Sequence, residues 1–466
     1  MSKQLIVLLT SIVLLSSCGG GRQASTRDEG DTVRLRYAKN LTIVRHDGYT
    51  EVSLKDPWNK GKTLHRYILA PREAPQEAPK APKAPHSAPE GATNASAHDA
   101  NEAPSGAVGG ASGASGASGA TIIYVPLQRV VVGTSVLCGL LDKLGRRDAI
   151  RGVCDVQYVN IPFVQEGCRK GTIADCGSGL APTLEKIIDL QPDGICLSPF
   201  QNSGGYGRIE ELDVPIIEMA DYMETSALGR AEWVRFYGML LGVEEQADSL
   251  FNAVEQDYLR LKQLAAKAPH SAPGNAPHSA PGKAPHSAPG KAPHSAPEGA
   301  TNASAHHANE APSGAVGGAS GASATSPSIL MDKQTGSVWY VPAGQSTIGG
   351  IIRDANIRYA WADNGQGGSL PLPFETILEK AGQADIWLFR YNAPQPVSYA
   401  SLLSENAAYS QFRAFQQHRC YGCNTATTTF YEDTPFHPNL LLRDFICIAH
   451  PELGLGEPSY FLPVAQ

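Results

Sequence analysis

Two long tracts, residues 71–120 and 267–327, consist almost entirely of Ala, Pro, Gly, Ser, His and Asn, and they limit how much of this 466-residue chain can fold. With almost no aromatic or branched apolar side chains they bury too little surface to offset chain entropy, so they are expected to stay disordered or partly polyproline-like. Residues 83–112 recur as 291–320 with one difference, Asp99 against His307, and an eight-residue unit beginning at Lys267 repeats through Glu298. No unit carries a hydrophobic face that could stack on a copy of itself, so the repeats are insertions and not a solenoid. Eight of the 13 histidines lie inside the tracts. Weak scavenging of metal or haem is one reading of them, and repeat expansion that happens to carry a histidine is the simpler one. About 320 residues remain to fold, large for one core and comfortable for two lobes.

At the N-terminus Lys3 precedes an apolar run over residues 5–15, and small residues lead into Cys18. This is the layout of a secretory signal and too short for a membrane span. The run Leu15-Ser16-Ser17-Cys18 resembles a bacterial lipobox, which implies that residues 1–17 are removed and that Cys18 becomes the lipid-bearing, palmitate-carrying N-terminus, with 18–35 as anchor and tether. The plainer alternative is a signal peptide with an incidental cysteine. A net charge of −7, with no basic patch or basic amphipathic helix, argues against nucleic acid or an anionic membrane surface as partner.

Eight cysteines remain beyond Cys18, in a compartment where disulfides are permitted. Cys168 and Cys176 could bridge a loop, whereas Cys154, Cys196 and Cys447 sit in apolar runs and read as buried small hydrophobes. Cys420-Tyr421-Gly422-Cys423 has the spacing of a redox or metal pair without a second pair nearby, so a local disulfide or two unpaired thiols is the reading preferred here.

The rest alternates strand and helix. Residues 62–69 and 121–133 are strand-like and are expected to form a hairpin with an oversized loop. A helix over 136–144, a strand ending near 153, a helix over 184–190 and strands at 194–197 and 215–218 follow. The second half repeats the plan with a strand at 337–341, helices over 348–354 and 374–380, and a strand at 386–389. Such alternation predicts α/β architecture, a mainly parallel sheet flanked by helices in each half. Between the halves Thr225 or Ser226 can cap a helix that runs to Gly242, predicted as an interlobe strut over 225–242, and a second helix over 243–266 is assigned to the C-terminal lobe. The N-terminal lobe then comprises 36–70 and 121–224, and the C-terminal lobe continues over 328–466.

Three stretches, 183–195 (TLEKIIDLQPDGI), 220–242 (ADYMETSALGRAEWVRFYGMLLG) and 437–453 (HPNLLLRDFICIAHPEL), resemble the periplasmic substrate-binding lipoproteins of ABC importers for iron chelates and cobalamin. The resemblance implies two Rossmann-like lobes joined by a rigid interlobe helix, with a ligand cleft between them. It implies no enzyme activity and no cofactor. It further implies a monomer on the periplasmic side of a membrane, held there by its lipid, whose partners are a metal-chelate ligand (ferric siderophore, haem or cobalamin) and an ABC permease with its ATPase subunits. In that family each lobe offers a surface glutamate to the permease, and Glu185 and Glu375 match those positions. The plainer alternative for each is an ordinary first-turn glutamate favourable to its helix dipole, and the equivalent places of the pair in the two halves favour docking.

Ligands of open α/β sheets sit beyond the carboxyl ends of strands, which nominates Thr134, Ser135, Gln157, Tyr158, Phe200, Gln201 and Asn202 in the first lobe. In the second lobe the same rule nominates Trp339, Tyr340, Gln345, Asp363, Arg390, Tyr391, Phe430 and Tyr431. The ligand contacts expected among them are Tyr158, Phe200, Gln201, Trp339, Gln345, Arg390, Tyr391 and Phe430, with core packing as the alternative for Trp339 and Phe430. Arg390 could pair with a propionate, catecholate or phosphate. His437 and His450, each before a proline, read as structural, with axial ligation of haem iron as the sharper option for His437. A metal chelatase acting on tetrapyrroles and a structural surface lipoprotein are the rival functions. Gly61-Lys62-Thr63 has the tail of a phosphate-binding loop, but position 56 is Asp where glycine is required.

Overall fold

The computed structural model describes residues 30–72, 119–199, 205–268 and 326–466. Cys18, Phe200, Gln201, Asn202 and nearly all of both low-complexity tracts lie outside the described residues.

The first lobe opens with a five-stranded sheet of β1 (Asp31–Thr32), β2 (Leu41–His46), β3 (Tyr49–Lys55), β4 (Thr63–Pro71) and β5 (Thr121–Val125). Alternation along β2 and β3 puts Leu41, Ile43, Val52 and Leu54 on one buried face, the period-2 signature of a sheet covered on one side. The expected hairpin between the two strand-like runs is not what forms. β4 and β5 pair in parallel, Tyr67 opposite Thr121. A parallel partner requires the chain to return along the full strand length, and the intervening tract supplies far more chain than that crossover needs.

Next come β6 (Val130–Val132), α1 (Ser135–Lys143), β7 (Ile150–Val153), α2 (Pro162–Lys170), β8 (Ala174–Asp175), the short pair β9 (Gly177–Ser178) and β10 (Ala181–Pro182), α3 (Leu184–Leu190), β11 (Gly194–Leu197) and β12 (Ile216–Glu218). The parallel sheet runs β12-β11-β6-β7-β8. In chain order that is 5-4-1-2-3, the nucleotide-fold arrangement whose order reverses between β6 and β11. Val130, Val131, Val132 and Ile195 are fully buried, as strands covered on both faces require.

A helical spine follows. α4 (Ala227–Glu232) and α5 (Val234–Leu241) meet at Trp233, so the helix expected over 225–242 is present as two pieces. Ser226 caps it by accepting from the Gly229 N–H at 3.0 Å, and Gly242 ends it at φ 66°, where a side chain would be strained. α6 (Glu244–Ala266) is the longer element and joins the lobes: Ala247 and Phe251 enter the first core, while Tyr258, Leu261 and Ala265 enter the second. At 1.5 Å per residue it is a strut about 34 Å long. Its packing is thus shared between the lobes, where the sequence pattern assigned it to one.

Buried carboxylates fasten the N-terminal segment to this spine. Glu232 accepts from the backbone N–H groups of Arg36, Tyr37 and Ala38 at 2.7–2.9 Å, Glu224 accepts from those of Lys39 and Asn40, and the Tyr37 hydroxyl donates to Glu255 at 2.6 Å. Each buried carboxylate is met by several donors, so its oxygens are hydrogen-bonded where water is excluded.

The second lobe contains β13 (Ser328–Met331), β14 (Gln334–Thr335), β15 (Val338–Pro342), α7 (Thr347–Asp354), β16 (Arg358–Tyr359), β17 (Ser369–Leu372), α8 (Phe374–Ala381), β18 (Ile386–Tyr391), α9 (Tyr399–Glu405), α10 (Arg413–Gln416), β19 (Cys420–Asn424), α11 (Phe430–Asp433), α12 (Pro438–Ala449) and β20 (Leu462–Pro463). Its main sheet runs β16-β13-β18-β19-β20, parallel except for the edge strand β20. In chain order this is 2-1-3-4-5, with the reversal between β13 and β18. β15 lies outside this sheet, in a small antiparallel one with β14 and β17. Among the described residues, no helix is long and apolar enough to cross a membrane.

Candidate functional site

The two parallel sheets turn their carboxyl edges toward each other. Asn160, in the loop after β7, donates its side-chain amide to the carbonyls of Thr425 and Thr428, which follow β19, and its backbone N–H donates to Glu432 at 3.3 Å. Loops that leave the carboxyl ends of strands therefore touch across the lobes.

On the second-lobe side that edge holds a cavity of about 490 Å³, lined by Asp332, Lys333, Tyr340, Arg390, Tyr391 and Tyr431 among others. Asp332 directly follows β13, and Arg390 and Tyr391 are the last two residues of β18, inside the strand where the sequence pattern ended it at 389. The cavity thus sits at the order reversal of the sheet, where neighbouring strands send their connections to opposite faces and leave a crevice.

Its charges are arranged in pairs. Arg390 donates from Nε and Nη2 to the two Asp332 oxygens at 2.9 and 2.7 Å, and Lys333 pairs with Glu405. Desolvation alone would lower the Arg390 pKa, but the adjoining Asp332 carboxylate outweighs it and the net shift is upward, so the guanidinium stays charged. The ring of Phe430 lies 5.9 Å from the guanidinium carbon. Tyr340 and Tyr431 are exposed at the cavity, 37 % and 47 %, so their rings are open to a ligand.

Several expected contacts are corrected by burial. Trp339 is fully buried, its Nε1 donating to the Met331 carbonyl at 2.9 Å within a cluster of Trp387, Tyr409, Phe412 and Phe374. It alternates with Tyr340 along β15, so one ring faces the core and the next faces out. Phe430 is 4 % exposed and meets Tyr431, Tyr460 and Phe461 edge to face, which makes it a core residue too. Gln345 is exposed but does not line the cavity. Tyr158 is 56 % exposed and lies two residues before Asn160, but it does not line the cavity. Thr134 caps α1 at the end of β6, where Gly133 packs so closely on Leu197 that a Cβ would lie 2.8 Å from its side chain. Glu185 and Glu375 are exposed, each in the first turn of its helix.

The sequence pattern missed Asp332, Lys333 and Glu405. Asp332 was within reach of the same strand-end rule that found Arg390, since it directly follows the apolar run Ile329–Met331. His450 is buried with Nε2 3.1 Å from the Ala355 carbonyl, a structural contact. All eight described cysteines are free thiols. Cys420 and Cys423 lie three apart on one strand and so point to opposite faces, which rules out a mutual bond. Burial pushes the Cys420 thiol up to about 12 and that of Cys423 to about 11, both far from thiolate chemistry. Among the described residues no group of three or more His, Cys, Asp or Glu side chains could hold a metal ion.

Residues 130–291 match the family model described as periplasmic binding protein. Over that region, about a third of its length, the chain is similar to the periplasmic binding proteins. The matched region runs from β6 through the spine and includes two of the three stretches that carried the resemblance. An uncharacterized lipoprotein of Methanocaldococcus jannaschii is 22% identical over 351 residues, covering 73% of this chain and 69% of that protein. A second uncharacterized lipoprotein of the same organism is 27% identical over 141 residues, covering 28% of this chain and 36% of its own length. Similar solved structures include a periplasmic haem-binding protein from Pseudomonas aeruginosa (13% identity, TM-score 0.48, covering 73% of this chain and 99% of that one). Another is a molybdate-binding protein from Haemophilus influenzae (11% identity, TM-score 0.49, covering 71% and 88%). A siderophore-binding protein from Vibrio cholerae with bound Fe3+–Desferal is also similar (13% identity, TM-score 0.42, covering 69% and 99%). Their cargoes differ, and likeness at this level decides nothing about the ligand of this chain.

Proposed function

We propose that this protein captures a metal chelate, a ferric siderophore, haem or cobalamin, between its lobes and hands it to an ABC permease, while a lipid on Cys18 keeps it beside the membrane. The observation that carries the reading is the cavity at the β13/β18 reversal, on an edge that faces the carboxyl edge of the other lobe. A ligand there touches Arg390, Tyr391, Tyr340 and Tyr431 on one side and Tyr158 on the other. Aromatic faces supply area and the few polar groups fix orientation, the usual division of labour for a bulky planar or caged ligand. Ligand contacts made only when both lobes close stabilise the closed arrangement, and a packed helical strut keeps that closure modest.

Glu185 and Glu375 are the proposed permease contacts. α3 leads into β11 and α8 into β18, and these are the strands just across the order reversal in their respective sheets. An exposed carboxylate at the start of each gives a two-pronged handle whose charge sets register and encounter rate more than affinity.

Titration of the full chain with a ferric siderophore, haem and cobalamin, followed by intrinsic tryptophan fluorescence, tests the reading. Saturable binding of one compound that is recovered unchanged is the expected result. Conversion of the compound into a product would favour a chelatase, and binding of none would end the proposal.

A further inference from the structure

The walls of the second-lobe cavity carry two cations and two carboxylates, and these are already matched: Arg390 with both oxygens of Asp332, and Lys333 with Glu405. The remaining polar lining comes from Thr335, Ser369 and Asn392, all uncharged. Among the described residues no first-lobe cation lines the cavity, and Asp155, after β7, accepts from the Gly179 N–H at 2.9 Å. A site with its charges cancelled offers an anion no net Coulombic attraction.

We infer, within the proposed function, that the cavity selects chelates of little or no net charge: ferric tris-hydroxamates in preference to ferric tris-catecholates. Ferric iron held by three singly deprotonated hydroxamates is neutral, whereas three doubly deprotonated catecholates leave a trianion. To bind the trianion, Arg390 would have to abandon Asp332, a residue only 9 % exposed, and a largely desolvated carboxylate would then face the ligand without its counter-ion. A neutral chelate needs no such exchange. It can use the free edge of the guanidinium, the amide of Asn392 and the tyrosine faces with both ion pairs intact.

Asp332 adopts φ 59°, a left-handed conformation that asparagine shares readily, so Asp332→Asn removes the negative charge while keeping shape and backbone. The experiment is fluorescence titration of the full chain, wild type and Asp332→Asn, with a neutral ferric tris-hydroxamate and a ferric tris-catecholate at one ionic strength. Wild type is expected to bind the tris-hydroxamate at least about tenfold more tightly, and Asp332→Asn to move the ratio toward the tris-catecholate by about tenfold, because Arg390 is then unmatched. Wild-type preference for the tris-catecholate overturns the inference while leaving the proposed function standing, and so does a ratio that the substitution leaves unchanged. Binding of neither probe by protein that unfolds cooperatively also overturns it, and leaves the proposed function to the haem and cobalamin titrations.

Discussion

Asn160 of the first lobe donates its side-chain amide to the carbonyl of Thr428 in the second, 3.3 Å away, and to that of Thr425 as well. One short side chain thereby fastens two carboxyl edges separated by 268 residues of chain. Asn160→Ala removes both bonds and is expected to cost about 1–2 kcal/mol of the joined arrangement. Small-angle scattering of the unliganded protein should show a larger radius of gyration than wild type. An unchanged radius would mean that the lobes are held by other contacts, such as the packing of α1 on α11.

Trp339 separates a core role from a ligand role. Its burial among four other aromatic rings predicts that Trp339→Ala costs about 3–5 kcal/mol in urea unfolding, the range for deleting a large buried ring. Tyr431→Ala, at an exposed ring of the cavity, should cost under about 1 kcal/mol and weaken ligand binding instead. The reverse pattern would return Trp339 to the cleft.

Glu218 gives the protein a pH dependence. At the end of β12 its carboxylate lies beside His65, 3.6 Å away, and accepts from the Tyr206 hydroxyl at 3.2 Å. Burial pushes its pKa up to about 7; the Tyr206 bond pulls it down, and Asp56 and Glu210 add to the rise. The folded state therefore holds a proton that the unfolded chain releases near its ordinary carboxylate pKa. Stability contributed this way is complete below that ordinary value and is lost as pH rises through about 7, by an amount on the order of 3 kcal/mol. His65 acts in the opposite sense, because burial lowers its pKa and favours folding as pH rises through the imidazole range. Comparing wild type with Glu218→Gln in denaturant titrations from pH 5 to 8 isolates the carboxylate. The substituted protein should gain on wild type steadily across that range, and parallel curves would contradict the assignment.

Reversing both proposed permease contacts, Glu185→Lys with Glu375→Lys, should leave fold and ligand affinity within about 0.5 kcal/mol of wild type, since both side chains are exposed. Uptake by cells carrying the permease should fall to background. Normal uptake would reduce the two residues to helix-dipole partners.

The helical spine was legible because its signals are local: Ser226 as cap, Gly242 as stop, and an apolar spacing that continues through α6. The strand-end rule was equally local, and four of the residues it nominated, Arg390, Tyr391, Tyr340 and Tyr431, line the second-lobe cavity. It failed at Trp339 and Phe430 because an aromatic ring at a strand end or helix start suits a core as well as a ligand, and only the neighbours that arrive from elsewhere decide which. The parallel pairing of β4 with β5 was hidden for the same reason, since strand propensity is silent about direction.

Periodicity by itself determined the alternation of strands and helices and the doubling of that plan, because each depends on residues a few positions apart. Tertiary structure alone decided that α6 is shared by both cores, that Asn160 meets Thr428, and that Arg390 is already occupied by Asp332, 58 positions before it. Those outcomes depend on distant segments meeting, where the energy of a contact belongs to the pair and is written in neither partner's local sequence.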